Sequence, residues 1–237
     1  MSVVTISGTM GSGAREVGPL AAEILGIHYV DREIMVDAAR RLGVSAEALA
    51  EPDERSAGFR ERLANMLRAF LERSAMAGVG DPLIGGGSLE VLLARSYGEM
   101  GAEVASSAQE LDDALYMKTL SAIISELGQK GNIVILGRGG QMILRELPTA
   151  LHVLIQAPLE LRIPRIVERD QLTPEEASKR IHDLDSGRAA FHRKFFKVDV
   201  DNPCLYDLVL NTSRLPYTVA AETVALAARA KESQVSR

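Results

Sequence analysis

Residues 3–7 (VVTIS) form a short β-branched run that stops at Gly8, the pattern of a buried strand. After Gly13 the apolar period changes. Val17, Leu20, Ala21, Ile24 and Leu25 fall on one helical face, and Gly26 closes it. Residues 27–30 (IHYV) predict a second strand and residues 31–42 a helix. Phe59, Leu63, Met66, Leu67, Phe70 and Leu71 repeat at helical spacing, and the Gly/Pro-rich residues 78–88 predict a loop. Residues 89–110 carry no clear period. Tyr116, Leu120, Ile123, Ile124 and Leu127 mark a helix closed by Gly128. Residues 132–136 (NIVIL), 152–156 (HVLIQ) and 207–211 (DLVLN) are apolar strands, with a helix over 159–169 after the second of them. Thr173-Pro174-Glu175-Glu176 is a helix start, with Thr at the N-cap, Pro at the first helical position and Glu at the third. A last helix runs from Tyr217 to about Lys231, and the polar KESQVSR tail is expected to fray.

Strands of buried type alternating with helical crossovers predict an α/β fold built on a parallel sheet of about five strands. The core is expected over residues 1–36, 131–170 and 199–237. Helix-rich interruptions are expected at about 37–130 and 171–198.

Composition narrows the function classes. The 237 residues are 46% hydrophobic, enough for a packed core and against a disordered chain. Aromatic residues are 4% and Trp is missing, so stacking platforms for single-stranded nucleic acid are scarce. Lys and Arg number 27 against 32 Asp and Glu, a net charge of −5 that argues against a DNA-coating protein. No nucleic-acid partner is expected. Cys204 is the one cysteine, so no disulfide forms within the chain. No apolar run approaches the ~20 residues of a membrane span, and the first residues lack the pattern of a signal peptide. A cytoplasmic protein without a membrane partner is the expectation.

The strongest chemical signal is residues 7–15, SGTMGSGAR. A strand running into Gly8, Gly11 and Gly13 and then into a helix leaves backbone N–H groups aimed at one spot, where the helix dipole also favours an anion. Gly8-x4-Gly13 matches the start of a phosphate-binding G-x-x-x-x-G-K-[ST] loop, but Ala14 stands in the Lys position and Arg15 in the Ser/Thr position. A tight strand–helix turn without a ligand is the alternative. Arg15 is a candidate substitute cation and Ser12 a candidate hydroxyl. Between residues 177 and 197 there are six Lys and Arg against Asp183 and Asp185, a concentration of positive charge in an acidic chain. It reads either as a solvated helix face or as a phosphate clamp. His28, His152, His182 and His192 are dispersed, with no zinc spacing.

The segments VTISGTMGSGAREV (4–17), LGIHYVDREI (25–34), ILGRGG (135–140), APLELRIPRI (157–166) and YDLVLNTSRL (206–215) together resemble the cytidylate-kinase-like family of P-loop kinases. The resemblance implies a three-layer P-loop kinase fold with an acceptor-binding helical insertion and a helical lid. It also implies phosphoryl transfer from ATP with Mg²⁺ to a small nucleotide acceptor, CMP or dCMP first. On that resemblance, Gly8, Met10, Gly11, Ser12, Gly13, Ala14 and Arg15 would cradle the donor phosphates. Arg188 and Arg193 would be lid arginines, with Arg15 replacing the loop lysine. Arg138 and Arg162 would hold the acceptor. Asp31 would face it too, or simply cap the following helix. Asp37, Arg40 and Arg41 stand where an acceptor-phosphate arginine is expected, and Gly139 where an Asp is expected. Arg165 and Arg169 are expected to pair with Glu168 or Asp170 or to be exposed. The lid segment, with only Phe191, Phe195 and Phe196 as large apolar residues, is expected to dock loosely when empty. A regulatory nucleotide-binding protein, or a kinase of another small molecule, is the alternative.

Overall fold

The computed structural model describes residues 1–33, 35, 95–101 and 107–235. The helices expected over 31–42 and 59–71, the loop over 78–88, and Asp37, Arg40 and Arg41 lie wholly or mostly outside these residues. The chain divides into two compact units. One comprises residues 1–29, 96–103 and 124–237, the other residues 30–95 and 104–123.

Five strands form one sheet in the order β2-β3-β1-β4-β5. They are β1 (Val3–Gly8), β2 (His28–Val30), β3 (Ile133–Leu136), β4 (Ala150–Gln156) and β5 (Leu208–Asn211). β1 is central and pairs in parallel with β3 (Val4 opposite Val134) and with β4 (Val4 opposite Leu151). β4 pairs in parallel with β5. The helices are α1 (Ala14–Leu25), α2 (Tyr97–Gly101), α3 (Ser107–Lys130), α4 (Gly140–Ile143), α5 (Leu159–Asp170), α6 (Pro174–Phe196) and α7 (Tyr217–Val235).

Strand residues that point to opposite faces are equally buried, as a sheet covered on both sides requires. Val4, Ile6, Val134, Leu151, Val153 and Ile155 join Val17 and Ala21 of α1 and Ala220, Ala221 and Val224 of α7 in one cluster. On the other face Thr5 and Ile135 lie against Gly140 of α4. Asp207, before β5, is structural: the His152 N–H donates to Asp207 Oδ2 at 2.7 Å, and so does Lys231 Nζ at 2.7 Å. In the second unit, Tyr116, Leu120 and Ile123 of α3 are buried, and Arg95 pairs with Asp113 at 3.1 Å.

α6 begins as its sequence dictates. Thr173 Oγ1 accepts from the Glu176 N–H, and the Glu176 carboxylate accepts from the Thr173 N–H, a closed capping box. Its C-terminal half departs from the expectation of loose docking. Phe191 is wholly buried, with the Tyr97 ring 5.0 Å away. The reason is invisible to a hydrophobic pattern: α2 and α6 meet through small residues. A Cβ on Gly187 would lie 2.7 Å from the Gly98 backbone nitrogen, and one on Gly101 would lie 2.7 Å from Ala190 Cβ. Gly187→Val is therefore expected to lower the thermal midpoint by an overpacking cost of roughly 1–3 kcal/mol, although valine outranks glycine as a helix former. A midpoint at or above that of the wild type would show that the two backbones do not meet.

Candidate active site

The turn from β1 into α1 is a socket with no room for side chains at its glycines. A Cβ on Gly8 would stand 2.7 Å from Ser12 Oγ and 2.9 Å from the Ile155 carbonyl oxygen. Gly11 and Gly13 adopt φ 78° and 92°, in the left-handed region that glycine tolerates. A Cβ on Gly13 would also strike the Tyr217 ring at 2.4 Å. Gly13 caps α1 without any side-chain hydrogen bond, so the helix N-terminus is not closed by a side chain. Ser12 Oγ and Thr9 Oγ1 are buried and have no partner. Unsatisfied buried hydroxyls in a glycine socket at a helix N-terminus fit an anion such as a phosphate.

Three arginines from facing elements close on this socket. Arg162 of α5 donates from Nη1 to the Met10 carbonyl at 3.2 Å and to Asp185 Oδ2 at 2.5 Å. Asp185 Oδ1 in turn accepts from the Met10 N–H at 3.0 Å. Arg165 donates to the Gly11 carbonyl at 3.1 Å, and to Thr212 Oγ1 and the Thr212 carbonyl at 3.1 and 3.0 Å. Thr212 Oγ1 completes the circuit by donating to the Ser12 carbonyl at 2.6 Å. The Arg165 guanidinium also lies over the Tyr217 ring, 5.2 Å from its centroid. Arg188 of α6 donates to Ser7 Oγ at 3.2 Å and pairs with Asp201. Arg162 Nε and Arg188 Nε are buried donors without partners.

The expected site residues separate into groups. Gly8, Met10, Gly11, Ser12, Gly13, Arg162 and Arg188 come together around the socket. Ala14 is buried in the cluster beneath the sheet's helical layer, so its position is part of the core. Arg15 is exposed and acts on Asp170, whose carboxyl is held below its ordinary value chiefly by the Arg169 hydrogen bond and further by the charges of Arg169, Arg180 and Arg15. Arg193 is exposed near the end of α6. Asp31 belongs to the second unit, where its carbonyl accepts from the Met35 N–H at 3.1 Å. Arg138 is buried at the end of β3, in a run of three left-handed residues, Gly137, Arg138 and Gly139, at φ 74°, 58° and 69°. Its N–H donates to the Tyr97 hydroxyl. A Cβ on Gly139 would lie 2.7 Å from the Phe196 ring, which explains why no aspartate stands there.

Arg165, expected to pair with Glu168 or Asp170 or to be exposed, instead meets Gly11 and Thr212, and no sequence pattern marks Asp185, Asp201 or Thr212 as site residues. The spacing of Arg162 and Arg165 put them on one face, but no local pattern shows that this face meets the glycine loop. An open cleft of about 740 Å³ continues from Arg162 between α5 and α6, floored by Leu159, Ile163 and Ile181 and edged by Lys179 and His182.

Among the described residues no three His, Cys, Asp or Glu side chains gather as a metal site. A Mg²⁺ ion carried by polyphosphate needs only one or two protein ligands. The carboxylate bonded to the socket is Asp185, and the loop hydroxyl is Ser12. No helix among the described residues is long and apolar enough to cross a membrane.

A family model described as the cytidylate kinase-like family matches residues 3–214. A cytidylate kinase from Methanocaldococcus jannaschii is 27% identical over 124 residues, covering 49% of this chain and 67% of that protein. One from Methanopyrus kandleri is 31% identical over 97 residues, covering 38% and 50%. The chain thus spans between half and two thirds of these relatives. The crystal structure of an uncharacterized protein from Eubacterium ventriosum superposes with a TM-score of 0.60 at 14% identity, covering 97% of this chain and 99% of that one. That likeness shows the shared fold.

His152 of β4 and His192 of α6 are buried. Burial lowers the pKa of His152, and lowers that of His192 to about 4, so both are neutral at pH 7. The unfolded chain binds these protons near pH 6.5 and the folded chain does not. Stability from the neutral rings is therefore complete above pH 6.5 and is lost as pH falls toward 4. The thermal midpoint is expected to fall between pH 6.5 and 4.5, before the lowered carboxylates of Asp170 and Glu176 titrate. His192→Phe should flatten that slope. A midpoint constant over this window would contradict the assignment.

Proposed function

The chain belongs to the cytidylate kinase-like family, and on that footing we propose that it transfers the terminal phosphoryl group of ATP to a nucleoside monophosphate, with CMP or dCMP as the first acceptor. The observation that carries this reading is the glycine socket, which holds the unsatisfied hydroxyls of Thr9 and Ser12 and whose Met10, Gly11 and Ser7 accept hydrogen bonds from the guanidinium groups of Arg162, Arg165 and Arg188. Phosphoryl transfer asks little covalent chemistry of a protein. It requires placement of two anionic reactants and stabilisation of charge on the transferring oxygens.

In this reading the N–H groups at the start of α1 take the donor phosphates. Arg162 and Arg188 face the phosphoryl group in flight, and Arg165 braces the loop from behind. Arg138 holds the acceptor, and Arg193 at the outer end of α6 supplies long-range attraction. Asp185 and Ser12 are the groups that would hold Mg²⁺, which neutralises charge on the donor phosphates when bound. The acceptor oxygen attacks the terminal phosphorus directly, and ADP leaves with no covalent enzyme intermediate.

The buried Ala14 and the placement of Arg15 beside Asp170 favour one competing reading, a nucleotide-binding protein without turnover. An assay of ATP consumption across nucleoside monophosphates separates the two. The expected result is turnover highest with CMP or dCMP. Binding of ATP without turnover on any monophosphate would establish the competing reading. Within an active enzyme, Arg162→Ala should cut kcat roughly 10²-fold, the scale of one lost transition-state contact. Arg15→Ala should cost less than about tenfold, because screening weakens an exposed charge. A larger loss at Arg15 than at Arg162 would return the lysine's role to Arg15.

A further inference from the structure

Arg188 adjoins a chain of buried polar groups that the reading above does not use. Its Nη1 donates to Ser7 Oγ at 3.2 Å. Gln141 Nε2 lies 3.5 Å from the Tyr206 hydroxyl and 3.0 Å from His192 Nε2. His192 Nδ1 lies 2.8 Å from the carbonyl oxygen of Arg188 itself. The directions are determined. A carbonyl oxygen only accepts, so Nδ1 carries the proton and Nε2 accepts from the Gln141 amide. The Tyr206 hydroxyl donates to the Val200 carbonyl at 2.8 Å, so it accepts from Gln141. Ser7, Gln141, Arg188 and His192 are each at most 4% exposed.

We propose that Gln141, His192 and Tyr206 are positioning residues for Arg188, tying the turn of α6 that carries it to α4 and to the Val200 carbonyl beside Asp201, so that Nη2 can exchange the Asp201 carboxylate for a phosphoryl oxygen of the ligand. The asymmetry of its two partners supports this. Ser7 is buried, whereas the Asp201 side chain is 48% exposed and lies on the loop before β5. Carboxylate and phosphate are interchangeable partners of a guanidinium. A buried cation that lost Asp201 with no replacement would be heavily penalised, so exchange is the movement the geometry permits. The arrangement otherwise has little reason to be polar. Apolar side chains of the same volume would fill the space at similar stability, and the His192 ring already packs edge-on against Phe191.

The proposal rests on the phosphoryl-transfer reading for its kinetic readout, and a double-mutant cycle tests it. His192→Phe keeps the ring packing and removes both hydrogen bonds, and Arg188→Met keeps volume and removes the charge. His192→Phe is expected to lower kcat tenfold or more, with KM for ATP and for the monophosphate within about threefold of wild type. It should cost nothing further in the Arg188→Met background. His192→Asn, which keeps a donor where Nδ1 stands, should recover part of the loss. Multiplicative losses in the double variant, or full activity in either single variant, would overturn the proposal. Should His192→Phe fail to fold, Gln141→Leu, which reaches Arg188 only through its neighbours, carries the same cycle. A wild type that binds ATP but phosphorylates no monophosphate refutes the kinase reading alone. The cycle is then read on ATP affinity by calorimetry, where coupled effects support the proposal and independent ones overturn it. A wild type without ATP affinity overturns both.

Discussion

The structure is organised around a place where side chains cannot stand. Gly8, Gly11 and Gly13 form the turn between the central strand and the first helix, and three other elements approach that turn to within contact distance. The Ile155 carbonyl of β4 reaches Gly8, the backbone of Arg162 in α5 reaches Gly11, and the Tyr217 ring of α7 covers Gly13. Each approach depends on the missing Cβ. β1 sits between β3 and β4, so the chain builds β2 and β3 on one side of it and β4 and β5 on the other, the arrangement that opens a crevice at the carboxyl ends of a parallel sheet. Packing, topology and the polar chemistry of the socket thus share one constraint.

The arginines around the turn are fixed by unlike means. Arg165 is held by carbonyl and hydroxyl oxygens, which leave its full charge in place. Arg162 and Arg188 each hold a carboxylate, Asp185 and Asp201. Those two ion pairs are partly accessible, whereas the Arg165 contacts are part of the wall. By contrast Arg169 and Arg180 gather on Asp170 at the surface, where such pairs stabilise by less than about 1 kcal/mol.

Legibility from sequence followed the range of the interaction. All five described strands and the capping box at Thr173 were readable because they depend on neighbours a few residues away. The strand over 152–156 begins two residues earlier, at Ala150, and the helix closed by Gly128 in the sequence runs on to Lys130. Such errors are the usual fraying of boundaries. The socket glycines were readable because φ and close approach select for glycine itself. What was not readable is long-range. Arg165 meets Gly11 and Thr212 across 154 and 47 residues of chain. The contact of α2 with α6 runs through Gly98, Gly101, Gly187 and Ala190, which hydrophobic periodicity passes over because small residues look like gaps. His192 looked like a dispersed histidine, and only its placement between Gln141 and the Arg188 carbonyl gives it a role.

The departures from the lysine-bearing loop pattern are coherent on this structure. Ala14 packs into the core shared by α1, α7 and the sheet, so a cation there would have to leave a buried position. The positive charge near the socket comes instead from α5 and α6. In a loop with its own lysine, the phosphate-binding charge travels with the loop. Here it travels with the helices, through Arg162 and Asp185 on the Met10 backbone and through Arg188 on Ser7. Any anion seated in the socket therefore interacts with residues that also dock those helices. By linkage, whatever strengthens the docking strengthens the anion site, and an anion that binds there stabilises the docked helices in return. The close α2–α6 contact and the buried polar groups at His192 then have the same consequence: they keep the charge-bearing half of α6 in place before any ligand arrives.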